Sequence, residues 1–237
     1  MTNIKFRSDV DVELVEVNAD DLRVAKAAWV STKGERAEDE VNEKRISGLI
    51  NYLVRDRHGS PFEHTSFTFA IRCPIFVIRE FHRHRAGWSY NEESARYTEL
   101  KPEFYIPNNK RNLTQTGKPG HYVFAPGKWW QYKATSFGLK MASRVGNKVY
   151  RVLLKAGVAK EVARMALGLN VYSSFYATCN ARSLMHFLSL RTENEDATYP
   201  SHPQKEIQMV ADQMEAAFAK QMPITYKAWN DNGRVAP

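Results

Sequence analysis

The run His82-Arg83-His84-Arg85 constrains this chain more than any other stretch. Four consecutive basic side chains cannot enter an apolar core together, because each uncompensated buried cation costs on the order of several kcal/mol. The run therefore has to end an element and face water or an anion. A few residues on, Ser89-Tyr90-Asn91-Glu92-Glu93-Ser94-Ala95-Arg96-Tyr97 supplies hydroxyls, an amide and acids. Cations running into a polar turn suit a bound anion that carries a polar heterocycle, which is the chemistry of a nucleotide site.

A chain of 237 residues can bury a sizeable core as one large domain or two small ones. No repeat, low-complexity tract or linker-like composition divides it, so a single domain over residues 1–237 is expected. No apolar run approaches the ~20 residues of a membrane span, and Met1-Thr2-Asn3-Ile4-Lys5-Phe6 lacks the apolar stretch of a signal peptide. A soluble, cytoplasmic protein without membrane partners is the expectation. Cys73 and Cys179 are the two cysteines, and neither lies in a metal-ligand spacing. Neither a disulfide framework nor a metal site is expected. The net charge of +8 favours anionic partners, whether nucleic acid or nucleotide.

The local patterns predict mixed secondary structure. Val12 to Val17 alternates as a strand, and Asp20-Asp21 caps a helix through Ala28. A solvated segment over Lys33 to Arg45 leads to a helix at Ile46 to Val54. His58-Gly59-Ser60-Pro61-Phe62-Glu63-His64 reads as a turn, and Thr65 to Ile71 as a strand. Pro74 suits the first turn of a helix that carries Ile75, Ile78 and Phe81 and delivers Arg83 and Arg85 to its carboxyl end, where cations complement the dipole. Tyr105 to Trp129, rich in Pro and Gly, is a long loop or irregular hairpin. Helices follow over about 130–155 and 160–167, then a strand over Val171 to Cys179. Asn180 caps a helix over Ala181 to Leu190, and Ile207, Val210, Met214 and Phe218 mark another. The order predicts an α+β fold, a mixed or antiparallel sheet flanked by helices.

The basic run and its polar sequel resemble the signature of the flavin-dependent thymidylate synthases, Arg-His-Arg followed after seven residues by Ser. Here eight residues, Ala86 to Glu93, separate Arg85 from Ser94, an insertion most simply placed in Ala86-Gly87-Trp88, where Gly87 can absorb it. Three further blocks are similar to that family, in its order: His58 to His64, Val162-Ala163-Arg164, and Asn180 to Arg191.

The resemblance implies conversion of dUMP to dTMP, with methylenetetrahydrofolate as carbon donor, NADPH as reductant and FAD as hydride carrier. It implies that Ser60, Arg83, His84, Arg85, Glu92, Asn180, Arg182 and His186 contact the flavin. The substrate falls to Glu80, Phe81, His82, Arg83, Glu92, Glu93, Ser94, Ala95 and Arg96, with Arg164 for its phosphate and Arg191 as the cation that polarises the uracil ring. Glu80 and His186 depart from the pattern, standing where amides are common. A homotetramer with sites shared between subunits is implied as well. Both cysteines lie outside the signature, so no thiolate nucleophile is expected. The alternative from another class is a nucleic-acid-binding protein, with Trp88, Tyr90 and Tyr97 as stacking platforms among arginines. Against it, Lys and Arg are scattered among acids rather than gathered on one element. A metal-dependent hydrolase is disfavoured because no His-Glu-x-x-His pattern occurs.

Overall fold

A computed structural model describes residues 3–34, 42–118 and 121–237. Most of the expected solvated segment, and Pro119 with Gly120 of the expected loop, lie outside the described residues.

The chain begins with β1 (Lys5–Arg7), β2 (Asp11–Asn18) and α1 (Asp21–Lys33). The Asp20 carboxylate caps α1 by accepting from the Arg23 amide at 2.7 Å. Asn42 does the same for α2 (Glu43–Arg55), whose buried residues Ile46, Ile50, Leu53 and Val54 recur at helical spacing. The expected Gly-Pro turn is a single helical turn, α3 (Ser60–Glu63), with Pro61 in its first turn. Next come β3 (Ser66–Pro74), α4 (Ile75–Phe81), β4 (Trp88–Glu92) and β5 (Glu103–Tyr105). An antiparallel hairpin of β6 (Thr114–Lys118) and β7 (His121–Ala125) precedes the long helix α5 (Trp129–Lys155). After α6 (Lys160–Ala163) and a 3-10 turn at Arg164–Ala166 lie β8 (Tyr172–Cys179), α7 (Ala181–Arg191), α8 (Lys205–Gln221) and α9 (Pro223–Asp231). The fold is α+β.

Four expectations need correction. Pro74 closes β3 instead of opening a helix, in keeping with the extended backbone that proline imposes on the preceding Cys73. Helix α4 stops at Phe81, so Arg83 and Arg85 sit in the turn beyond it and not on its last turn. The first half of the polar stretch, through Glu92, is strand β4 rather than a turn. The helix expected over 160–167 is one helical turn and a 3-10 turn. The strands β1 and β5 and the helix α9 had no reading in the sequence.

The chain divides into two compact units: Met1–Asp9, Arg72–Arg79 and Glu92–Ser174 form one, and Val10–Ile71, Glu80–Asn91 and Phe175–Pro237 the other. In the first, β1 and β5 pair in parallel, Phe6 opposite Phe104. Ala95, Leu100, Phe104 and Val171 make its core, with Ile4, Phe6, Ile75 and Leu167 packed against it. The buried Glu103 beside this core accepts from Arg72 Nη2 at 2.6 Å and Arg7 Nη1 at 3.2 Å and pairs with Lys5 at 3.1 Å. Burial alone would raise its pKa, but these three cations hold the carboxyl below its usual range.

The second unit holds most of a four-stranded sheet of order β2-β3-β8-β4. Phe67, Phe69 and Ile71 of β3 are fully buried on one side, as the alternation of the strand requires. Phe67 meets Phe218 of α8 at 6.0 Å, and Phe218 meets Trp229 of α9 at 6.3 Å. Each such ring contributes roughly 1.5 to 3 kcal/mol of burial. The start of α9 has no cap of its own. Asp21 supplies one, accepting from the Ile224 and Thr225 amides at 3.0 and 2.8 Å and from the Thr225 hydroxyl at 2.6 Å.

Gly87 takes a positive φ of 68°, and a Cβ there would lie 2.2 Å from Ser183 Oγ and 3.0 Å from Asn180 Nδ2. The residue assigned to absorb the insertion is thus the one that must be glycine. Gly87→Ala should lower stability by about 1 to 3 kcal/mol, read as a fall in the thermal midpoint. An unchanged midpoint would show that the 86–88 turn can relax around a side chain.

Candidate functional site

The turn that follows α4 is built by the helix end itself. The amide of Arg83 donates to Glu80 O at 3.3 Å and that of His84 to Phe81 O at 2.8 Å. This geometry splits the basic run: His82, Arg83 and Arg85 point to solvent, whereas His84 is buried, 6% exposed, with its ring 4.8 Å from that of Phe187. Burial, and then the charges of Arg191 and His186, lower the His84 pKa to about 4, so its imidazole is neutral near pH 7. Arg191 Nε donates to His84 Nε2 at 3.1 Å, which places the ring proton on Nδ1. His84 therefore faces the last residue of α7, unlike its exposed basic neighbours.

Tyr90 of β4 holds this turn from the strand side. Its hydroxyl shares one proton between His84 O at 2.9 Å and Phe81 O at 3.1 Å, and burial pushes the phenol far above its usual pKa. Tyr90 stacks on Trp88, two residues back on the same strand face, and both rings touch Phe81. These aromatics pack inward and form no platform for bases. Phe81 itself is fully buried against Phe175 and Phe187, so its side chain is core and only its backbone can serve a ligand.

Helix α7 carries the remaining expected residues of this unit. Asn180 caps it, accepting from the Ser183 amide at 2.8 Å, and Ser183 Oγ in turn donates to Ala86 O at 2.9 Å. Arg182 and His186, four residues apart, share an exposed face. Arg182 pairs with Glu63 at 2.6 Å and donates to Pro237 O at 2.6 Å, beside Gly59, where a Cβ would lie 2.5 Å from Arg182 Nε. Ser60 is exposed at the start of α3. Arg191 also reaches Glu80 Oε2 at 3.3 Å, and both side chains are about one-fifth exposed. Burial and the nearby Glu206 push the Glu80 carboxyl above its usual pKa, outweighing the pull of Arg191.

A second constellation lies in the other unit. A cleft of about 380 Å³ is lined by Glu92, Glu93, Ser94, Ala95 and Arg164, with Ser173 and a set of apolar side chains that includes Ile75, Met165 and Leu169. Five of the residues expected to meet the substrate thus converge from two segments. Arg96 is not among them, since its guanidinium is engaged by Glu161 at 2.9 Å. The sequence reading missed Ser173, whose buried hydroxyl has no partner among the described residues. Nothing in Tyr172-Ser173-Ser174-Phe175 marks which of the two serines turns toward the cleft.

A cleft with two acids, two hydroxyls and an open arginine has donors and acceptors of the kind a nucleotide requires. The thymidylate synthase complementing protein family matches residues 13–224. The chain belongs to the flavin-dependent thymidylate synthases. One relative, the flavin-dependent thymidylate synthase of Streptomyces avermitilis, is 58% identical over 98% of this chain and 95% of its own. That of Tropheryma whipplei is 49% identical over 98% and 97%. Among solved structures, the UMP/dUMP methylase PolB from Streptomyces cacaoi bound with 5-Br dUMP matches with a TM-score of 0.94, 53% identity, and coverage of 99% of this chain and 100% of that one. The same methylase bound with 5-Br UMP matches with a TM-score of 0.91 and 51% identity.

In this flavin-dependent thymidylate synthase the basic turn depends on one phenol. Tyr90→Phe should speed amide hydrogen exchange over residues 82–88 and cost about 1 kcal/mol of stability. Unchanged exchange there would mean that the aromatic packing alone fixes the turn.

Proposed function

We propose that the protein makes dTMP from dUMP in the cytoplasm by reductive methylation, taking its carbon from methylenetetrahydrofolate and its hydride from NADPH by way of FAD. The observation that carries this reading is the convergence of Glu92, Glu93, Ser94, Ala95 and Arg164 on one cleft, whose volume lies within the ~300–1,000 Å³ of small-molecule sites. The Streptomyces cacaoi methylase, whose solved structures hold 5-bromo derivatives of UMP and dUMP, supports a uracil nucleotide as the ligand class. The family match runs through both compact units, which supports one functional domain over residues 1–237.

The overall change balances as follows. The methylene carbon leaves the folate for carbon 5 of the uracil ring, the proton of carbon 5 departs and a hydride completes the methyl group, while the two folate nitrogens that lose the methylene take up two protons, one more than carbon 5 releases, the extra one coming from solvent. Tetrahydrofolate and NADP⁺ are the other products. Arg164, whose side chain has no ion pair among the described residues, binds the phosphate. Glu92 and Glu93 accept from the nucleotide and Ser94 donates to it, while the backbone around Ala95 lies against it. Arg191 puts a fixed positive charge beside nitrogen 3 and its neighbouring carbonyl, which stabilises negative charge on the ring and makes carbon 5 nucleophilic. Glu80 and His82, with the backbone of Phe81, flank the ring. Arg96 joins only on leaving Glu161.

The donors of the basic turn fit FAD. Arg83 has no side-chain partner among the described residues, and Arg85 makes only a 3.4 Å bond to His82 O, so both guanidiniums are open to a pyrophosphate. Arg182, His186, Asn180 and Ser60 add polar groups, and Glu92 contributes from β4. FAD, when bound, supplies the hydride transfer that no side chain can perform. His84 acts behind this surface. Cys73 and Cys179 are both buried and not disulfide-bonded to each other, and burial pushes the Cys179 thiol well above its usual pKa, which disfavours a thiolate nucleophile.

The chain works as a homotetramer with sites shared between subunits. Helix α5 supports this: Phe137, Met141, Val145 and Val149 form an exposed apolar row at four-residue spacing, beside Gly138, Ala142 and Gly146.

An anaerobic assay that omits each component in turn should give dTMP only when dUMP, methylenetetrahydrofolate, FAD and NADPH are all present. The Cys73→Ala/Cys179→Ala enzyme should retain most of its turnover. Product without flavin, or a folded, flavin-loaded double variant that is dead, would overturn the mechanism. Site sharing is tested by refolding Arg191→Ala with Arg164→Ala subunits. Each alone should be nearly inactive, and random pairing should restore roughly a quarter of the wild-type sites. No recovery in hybrids confirmed by native mass spectrometry would show that each chain builds its own site.

A further inference from the structure

The guanidinium of Arg191 is held from two sides by groups of its own unit. Nη1 donates to Glu80 Oε2 at 3.3 Å, and Nε donates to His84 Nε2 at 3.1 Å. Nη2 has no partner among the described residues. Two contacts on different nitrogens fix both the direction and the plane of a rigid fork, so the remaining edge is aimed by the protein before any ligand arrives.

Each holder has a constrained protonation state. His84 can accept from Nε only while neutral, and its burial against Phe187 together with the charges of Arg191 and His186 keeps it so down to about pH 4. Glu80 is less settled. Its Oε1 is buried without a hydrogen-bond partner, so the fold satisfies only half of the carboxylate. Burial and Glu206 of α8 favour the neutral acid, and Arg191 of α7 favours the anion.

We propose that Glu80 and His84 are positioning residues that together aim the free edge of Arg191, and that loss of the Glu80 charge releases the arginine. The inference rests on the reading above that Arg191 acts on the uracil ring. Glu80 is charged above its raised pKa, and there the clamp is closed. It opens as pH falls through a value above the usual glutamate range. His84 titrates lower, near pH 4, and does not set this limit.

Glu80→Gln keeps the shape and one acceptor but removes the charge and the titration. Its kcat should fall about ten- to hundredfold, with a much smaller change in KM for dUMP, and its profile should lose the acid limb seen in wild type. His84→Gln, which still offers an acceptor, should retain more activity than His84→Leu. An acid limb that persists in Glu80→Gln, or a KM effect alone, would overturn the proposal. A second measurement needs no turnover. In protein carrying ¹⁵N-arginine, the Nη1–H signal that Arg191→Lys removes should be protected from exchange in wild type. It should lose that protection on acidification, and lack it in Glu80→Ala at every pH. Retained protection in Glu80→Ala would sink the clamp. A wild type that shows the protected signal but makes no dTMP would sink the functional reading and leave the clamp standing.

Discussion

A row of four basic side chains can turn outward as a block or be divided by burying one of them, and the hydrogen bond from Arg191 to His84 is what allows the division here. A buried imidazole is tolerable when neutral and partnered, whereas a buried guanidinium needs a counter-charge. His84 therefore enters the space beside Phe187, and Arg83 and Arg85 are left exposed on either side of it. The backbone must turn sharply to do this. Tyr90 holds the carbonyls of that turn, and Gly87 provides the positive φ that returns the chain to β4.

Charge compensation elsewhere decides which cations remain for ligands. Glu103 gathers Lys5, Arg7 and Arg72, Glu215 holds the buried Arg234 through both of its oxygens, and Glu161 and Glu63 engage Arg96 and Arg182. Much of the positive charge among the described residues is thus held in local pairs. Arg83 and Arg164 stand apart with open guanidiniums, and each sits among residues of the family blocks. Arg191 is held by a carboxylate whose ionisation burial opposes.

The relatives place this chain in its family along nearly its whole length. In the turn over Ala86-Gly87-Trp88 a glycine without a Cβ fits against Ser183 and Asn180 of the α7 cap, and the chain passes into β4 with Tyr90 packed on Phe81. The loop and the cap are therefore one structural feature, linked by the bond from Ser183 Oγ to Ala86 O.

The sequence by itself determined the α+β class, the strand with Phe67, Phe69 and Ile71 inward, the caps at Asp20 and Asn180, and the family blocks. Those features are encoded locally, in alternation, helical spacing and single side chains that bond amides three residues on. Local spacing also brought the polar residues from Glu92 to Ala95 to notice, though not their meeting with Arg164. Tertiary structure alone decided that Asp21 caps α9 some two hundred residues away, that Phe81 is core, that Arg96 belongs to Glu161, and that Ser173 faces the cleft. It also decided that the second histidine of the basic run is a neutral partner of Arg191 and not a cation. Each of these depends on which distant group lies within about 3 Å and how much water is excluded around it, and neither quantity is carried by the residue type or its neighbours in the chain.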